Sequence, residues 1–364
     1  MSNAAGGTDS MSLLMTNTPL KSLSVSNVAG PPGTYRKLLA DALQQRPERA
    51  PEAEWGVAVF ASNEAPYLVS CLKSLWAALG EWPSVDFTVL INGSRDGSES
   101  EAIRSFRELG LPGRVVVIPR GDKANAWNQY VYGLRPIARQ HLFVDGYLSF
   151  PTEGLHAVRQ VMEGVNPPLA VSGVPGGDTA GAVEFRRFLR EHGGVGGGLH
   201  AIDDSFLARV TRRGIHLPLG LYRGDGLIGS FLCHDLDPLH TPWSTERIAV
   251  VDSAAWTGPR VSLGSPREAR RHLQRLLRQA RGRMENRAIR GIIYEHGYEG
   301  LPETALELLE WAWQQGPAGN EGSAARRILR QVAFRQQQRA GRKPVSADEV
   351  LANIAFGNKQ EMTC

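Results

Sequence analysis

The first residue in this chain that invites a chemical reading is an acid at the end of an apolar run. Leu142-Phe143-Val144 stops abruptly at Asp145-Gly146, the pattern of a buried strand with a carboxylate at its C-terminal tip. In open α/β sheets ligands collect outside the carboxyl ends of the strands, so an acid placed there faces a crevice rather than the core. Asp-Gly is also a common turn pair, and capping a turn is the plain alternative for Asp145. The run Gly193-Gly194-Val195-Gly196-Gly197-Gly198 suggests a phosphate loop, but no Gly-Lys-Ser/Thr follows and a helical pattern, not a strand, precedes it. A dinucleotide fingerprint fails for the same reason. A flexible hairpin that lets a ligand approach the backbone fits the run better. Nucleophilic catalysis has little support: there is no Gly-x-Ser-x-Gly elbow, and only Cys233 stands beside a histidine, His234. Side chains adjacent in sequence rarely face each other. His192, His200, His216, His234 and His240 lack a ligand spacing such as His-Glu-x-x-His, which points to structural or exposed roles.

The elements that must position these residues alternate from Trp55 to Asp145. Val57 to Ala61 has the length and character of a strand, and Ser62-Asn63-Glu64-Ala65-Pro66 then supplies a cap candidate and a proline suited to a first helical turn. Leu68, Cys71, Leu72, Leu75 and Leu79 recur along one face of an amphipathic helix. Phe87 to Ile91 is a second strand, broken by the turn segment Asn92 to Ser98, and a helix around Ala102, Ile103, Phe106 and Leu109 follows. Arg114 to Ile118 is a third strand, 123–134 a helix, and Leu142 to Asp145 the fourth strand. Strands alternating with helices over short loops imply βαβ units, a parallel sheet and right-handed crossovers. Every polar cluster then falls just after a strand, on one edge of the sheet.

Beyond Asp145 the pattern loosens. It predicts helices over 152–164, 183–191 and from Asp203-Asp204 to Arg212, a strand over 170–173 and a short edge strand over 214–218. The polar loop Tyr222-Arg223-Gly224-Asp225-Gly226 meets an apolar helix start, and helices follow over 266–296, 302–315 and 323–340.

Four polar segments come in a telling order: Asn63-Glu64-Ala65-Pro66, Asn92-Gly93-Ser94-Arg95-Asp96-Gly97-Ser98, Lys123-Ala124-Asn125-Ala126-Trp127-Asn128 and Phe143-Val144-Asp145-Gly146. Together they resemble the nucleotide-sugar domain of family-2 glycosyltransferases with the GT-A fold. That family has a strand then Asn-Glu, a strand then Asp-x-Gly-Ser-x-Asp-Gly, a Lys/Arg-x-x-Ala-x-Asn helix and a strand ending in Asp-x-Asp. The resemblance covers roughly residues 55–240, and Leu217 to Gly226 fills the place of the segment carrying the family's catalytic base. It implies a GT-A-like α/β fold, a mainly parallel sheet flanked by helices, with a C-terminal helical subdomain. It implies an inverting, hexosyltransferase-type transfer from a nucleotide sugar to an acceptor hydroxyl or amine, with Asp225 as general base. Asn63, Glu64, Asn92, Asp96, Lys123, Asn128 and Asp145 are the implied nucleotide-sugar contacts. Asp145 and His234 are the implied ligands of a divalent cation, Mg²⁺ or Mn²⁺. The implied partners are a nucleotide sugar, a UDP-sugar first among them, and a small-molecule, glycan or lipid-linked glycan acceptor. Two departures stand out: Tyr147 replaces the second acid of Asp-x-Asp, and Ile91 replaces the first acid of the second motif. The first motivates an alternative, a non-catalytic relative that binds nucleotide or glycan.

Composition bounds the remainder. A chain of 364 residues, 42% of them hydrophobic, is long enough for one large or two ordinary domains. No apolar run of membrane-spanning length and no signal-peptide pattern is present. The three cysteines, Cys71, Cys233 and Cys364, are odd in number and far apart. This argues against a disulfide framework or zinc cluster and favours a cytoplasmic setting, with peripheral membrane association left open. The expected layout is a disordered tail over 1–33, a short helix and linker over 34–53, the glycosyltransferase-like domain over 54–260 (nucleotide half 54–150, acceptor half 151–260), a basic helical subdomain over 261–340 and a flexible C-terminus over 341–364. Residues 267–290 hold nine arginines against two glutamates. Such a segment suits an anionic partner, a diphosphate included, although a solvated helix face explains it as readily. Nucleic acid ranks last, because the window contains no aromatic residue on which bases would stack.

Overall fold

The computed structural model describes residues 33–44, 53–259, 266–316, 324–341 and 347–357. In chain order the elements are α1 (Thr34–Gln44), β1 (Trp55–Ala61), α2 (Ala65–Leu79), β2 (Val85–Asn92), α3 (Ser98–Leu109), β3 (Gly113–Ile118), α4 (Lys123–Gln129), β4 (Gln140–Asp145), α5 (Thr152–Met162), β5 (Ala170–Pro175), α6 (Ala180–His192), β6 (Leu199–Asp203), α7 (Asp204–Arg212), α8 (Gly224–Cys233), β7 (Ile248–Trp256), α9 (Pro266–His296), α10 (Ala305–Gln314), α11 (Ala324–Gly341), α12 (Ala347–Val350) and β8 (Asn353–Gly357). One eight-stranded sheet runs β7-β5-β6-β4-β1-β2-β3-β8. β1 pairs in parallel with β2 and β4, β2 with β3, and β5 with β7. β6 runs antiparallel to β4 and β5, and β8 antiparallel to β3. The fold is therefore α/β, a mixed and mainly parallel sheet flanked by helices, with further helices toward the C-terminus, as the resemblance implies.

The central strand shows how the sequence builds this arrangement. Every residue of β1 is buried, because a parallel sheet carries helices on both faces. Its alternate side chains feed two cores. Val57 and Val59 join Leu72, Phe106 and Leu155 from α2, α3 and α5. Ala58 and Phe60 join Trp127, Phe231 and Ile289 from α4, α8 and α9. The five apolar positions of α2 are all buried, and proline sits in its first turn, where a missing N–H costs nothing. Gly93, at φ 61°, lies so close to the next loop that a Cβ would sit 2.3 Å from the Gly121 nitrogen. The loops after β2 and β3 therefore touch backbone to backbone.

Several expectations change in three dimensions. The glycine run over 193–198 is the connection between α6 and β6, and the unexpected element is the strand after it, β6, paired on both sides. Residues 214–218 form no ladder. Pro218 lacks a donor, and only the next residue, Leu219, makes an isolated bridge, to Thr304. β7 carries no clear alternation, and the sequence gives no sign of it. Part of the expected flexible C-terminus returns to the sheet: β8 caps the edge at β3, where the Phe356 ring meets Phe106 edge-on at 5.9 Å. From α9, Met284, Ala288, Ile289, Ile292 and Ile293 belong to the same buried cluster as the sheet residues, so this helix shares the core. Of the expected tail over 1–33, residues 1–32 lie outside the described residues.

Candidate active site

The C-terminal ends of β1 and β4, the start of α4 and the start of α8 enclose a cleft of about 540 Å³. Lys123, Asp145, Tyr147, Arg223 and Asp225 line it with aromatic side chains from four elements or more. Lys123 is the first residue of α4, and Asp122 caps that helix by accepting hydrogen bonds from the Ala124 nitrogen at 3.0 Å and the Asn125 nitrogen at 3.3 Å. The cap aims the Lys123 ammonium at Asp145, whose carboxylate it contacts directly, and at the Gly197 carbonyl 3.1 Å away.

Asp225, in the first turn of α8, also approaches Gly197. A Cβ on that glycine would lie 2.8 Å from the Asp225 Oδ2, so a larger residue there would displace the Asp225 carboxylate. The loop before α8 is held from two directions. The Gly220 nitrogen donates to Asp122 at 2.6 Å, and the Tyr222 nitrogen donates to Glu285 of α9 at 3.1 Å. Glu285 is fully buried and accepts from Arg281 Nε at 2.6 Å, while Arg281 also donates to the Gly220 carbonyl. The side chains of α9 through position 275 lie outside the described residues, including the earlier arginines expected to approach a diphosphate. Arg281, within the described part, braces the loop instead.

The electrostatics follow from this packing. Burial pushes the Asp145 carboxyl above the usual range, while the Lys123 charge pulls it back and Tyr147 donates it a hydrogen bond. Burial opposes the Lys123 charge, but Asp145 and Asp225 together outweigh it, and its pKa is raised. Burial, then the charges of Asp145 and Asp96, lifts the Glu64 carboxyl to about 7. Burial and the nearby Lys123 push His200 down to about 3, so it is neutral.

Of the sequence-derived candidates, Lys123, Asp145 and Asp225 meet in the cleft. Asn63, Glu64 and Asp96 sit in the loops after β1 and β2, beyond its lining. Asn63 Oδ1 accepts from the Arg95 nitrogen at 3.0 Å, and Asp96 accepts from the Ala65 nitrogen at 3.0 Å, so these residues stitch the two loops together. Asn92 and Asn128 are buried, and their polar atoms are used inside the protein. Asn92 accepts from the Asp122 nitrogen at 2.9 Å; Asn128 donates to the Leu217 carbonyl at 2.8 Å and accepts from the Leu217 nitrogen at 2.9 Å. His234 caps the opposite end of α8 from Asp225, roughly 13 Å along the helix. Its Nδ1 faces the Thr241 carbonyl at 2.8 Å and its Nε2 the Tyr294 hydroxyl at 3.2 Å, so the fold does not bring it to Asp145. Trp127, His200, Arg223 and Trp256 line the cleft without having been singled out. Trp127 and Arg223 lie inside segments noted for their polarity. His200 and Trp256 carried no local signal, since β6 and β7 place them.

A divalent cation is compatible with this donor set in one form only. Among the described residues, no group of three or more His, Cys, Asp or Glu side chains is placed to cage a metal. Asp145 offers a single carboxylate, which suffices for a hard cation that completes its shell with water and substrate phosphate oxygens. Asp145 and Asp225 are the two carboxylates whose charges bear on Lys123.

No family model and no curated protein matches the sequence. Similar solved structures include the mannosyltransferase PcManGT from Pyrobaculum calidifontis in complex with GDP-Man and Mn²⁺, at 16% identity and a TM-score of 0.49 over 85% of this chain and 94% of that one. Glucosyl-3-phosphoglycerate synthase from Mycobacterium tuberculosis, with Mn²⁺, UDP-glucose and phosphoglyceric acid, is similar at 19% identity and a TM-score of 0.45 over 74% and 88%. S. aureus TarS 1-349 with UDP-GlcNAc is similar at 12% identity and a TM-score of 0.43 over 84% and 97%.

Proposed function

We propose that this chain is a GT-A-type glycosyltransferase of the hexosyl kind, moving a sugar from a nucleotide sugar to an acceptor hydroxyl or amine by a single inverting displacement. The observation that supports this reading is the convergence of Lys123, Asp145 and Asp225, from three distant parts of the chain, on one cleft at the carboxyl edge of the parallel strands. Departure of a nucleoside diphosphate builds negative charge, and Lys123 and Arg223 are the cations that line the cleft to meet it. Asp145 would hold a Mg²⁺ or Mn²⁺ ion, which when bound stabilises the leaving diphosphate as a Lewis acid. Asp225, beside Gly197, takes the proton of the acceptor hydroxyl. The aromatic lining keeps water from the reacting carbon and so limits hydrolysis of the donor. The acceptor is a small molecule, a glycan or a lipid-linked glycan met at a membrane surface. Among the described residues no helix is long and apolar enough to cross a membrane.

A thermal-shift and calorimetric panel of UDP, GDP and their sugar conjugates, with and without Mn²⁺, tests the reading, because a ligand that binds the folded state raises its melting temperature by mass action. Asp225→Asn is expected to keep nucleotide affinity and lose about 10²–10⁴-fold in turnover, the range for a removed general base. Unchanged turnover would remove Asp225 from that role. Tyr147 at the position of a second acid favours one further reading, a relative that binds nucleotide or glycan without catalysis. Binding with no transfer or hydrolysis across the acceptor panel would decide for it.

A further inference from the structure

One wall of the cleft is built of buried aromatic rings, yet it carries two polar atoms that find no partner among the described residues. Phe60 of β1, Phe143 of β4 and His200 of β6 lie side by side on one face of the sheet, with Phe143 and His200 stacked at 4.9 Å and 10°. Trp127 of α4 closes the row over Phe143 at 6.4 Å. Trp127 is 3% exposed and His200 4%, and both line the cleft. The Trp127 Nε1 and the His200 Nε2 are buried and find no hydrogen-bond partner among the described residues. Other buried side-chain atoms are also unpartnered, but these two belong to residues that line the cleft.

Their chemistry is complementary. An indole Nε1 only donates. The His200 Nδ1 faces the Gly196 carbonyl at 3.2 Å, and a carbonyl only accepts, so Nδ1 carries the proton and Nε2 is left as an acceptor. Burial and Lys123 keep the ring neutral, which preserves that acceptor. A buried donor and a buried acceptor set among aromatic faces are costly when empty. A polyhydroxylated ring satisfies both, with hydroxyls for the polar atoms and C–H faces for the rings.

We propose that this wall is the donor-sugar subsite, and that Trp127 Nε1 and His200 Nε2 read hydroxyls of the transferred sugar. The assignment rests on the glycosyltransferase reading above. Position separates sugar from nucleobase. The Lys123 ammonium, which faces the diphosphate in that reading, stands 5.8 Å over the Phe60 ring, so the wall begins beside it. The sugar is joined directly to the diphosphate, whereas a base is removed from it by the ribose.

The test compares affinities for UDP, GDP, UDP-glucose, UDP-GlcNAc and GDP-mannose, measured by calorimetry with Mn²⁺, in wild type, His200→Phe and Trp127→Phe. Both variants keep an aromatic ring and remove the polar atom. For the conjugate that wild type binds best, the ratio of its Kd to that of the parent diphosphate is expected to rise about tenfold in each variant, while diphosphate affinity stays within twofold. His200→Gln, which retains an acceptor, is expected to recover part of the loss and serves in place of His200→Phe if that variant does not fold. An unchanged ratio overturns the subsite. An equal loss for diphosphate and conjugate assigns the wall to the nucleobase and overturns it too. Wild type that binds no nucleotide or conjugate refutes the glycosyltransferase reading itself, and the subsite with it.

Discussion

Asp145 and Lys123 hold each other as a direct ion pair. The ammonium contacts the carboxylate directly, with Tyr147 as a second donor, where the resemblance would place a second acid. A cation arriving at Asp145 competes with that ammonium. Lys123→Met is therefore expected to bind Mn²⁺ at least about tenfold more tightly than wild type in the absence of nucleotide, an effect of a removed like charge; titration calorimetry reads it, and equal affinities would show that the lysine does not compete. Glu64 supplies a pH dependence. Its folded-state pKa, raised to about 7, lies above that of an unfolded glutamate. Between those two values the folded state binds more protons, so stability is greatest below the lower one and falls as pH rises to the upper. Glu64→Gln is expected to melt with wild type near pH 4 and above it near pH 8, in metal-free and nucleotide-free buffer. Parallel melting curves across that range would remove Glu64 as the cause.

At the scale of elements, the cleft depends on how loops are tied to helix ends. Asp122 caps α4 and accepts from Gly220, so one side chain sets both the helix that aims Lys123 and the loop that leads to Asp225. Asp122→Ala loses the cap and leaves the Gly220 nitrogen without its partner. It is expected to lower stability by about 1–3 kcal/mol in denaturant unfolding and to lower turnover as well, since both tied segments shift. Gly197 is the corresponding point on the sheet side. Its φ is ordinary, so alanine there meets no backbone strain, only the Asp225 carboxylate. Gly197→Ala should leave the melting temperature near wild type and reduce turnover more than nucleotide affinity. A variant with full turnover would mean that Asp225 can move aside without consequence.

At the scale of the molecule, the helices after β7 complete the core. Ile289, Ile292 and Ile293 of α9 and Leu308 and Leu309 of α10 pack in the same cluster as Phe60 and Phe143. A chain ended after Pro259 is therefore expected to expose that face and recover as aggregate, whereas recovery as a monomer with a cooperative melt would show that the sheet half folds alone.

The amino-acid sequence by itself determined the alternation from Trp55 to Asp145, because a strand buried on both faces and an amphipathic helix each carry a local period that needs no partner to be legible. It also determined that polar segments fall at strand ends, and so that Asp145 and Lys123 belong to the carboxyl edge. Tertiary structure decided the rest. Whether Asn92 and Asn128 face a ligand or the protein's own backbone depends on which loops meet them, and both meet backbone. Whether His234 reaches Asp145 depends on the direction of α8, which points it away. β6, β7 and β8 exist because distant strands offer them an edge, and they deliver His200 and Trp256 to the cleft. Such pairings join residues far apart in the chain, and nothing in a local stretch of side chains encodes where its non-local partner will lie.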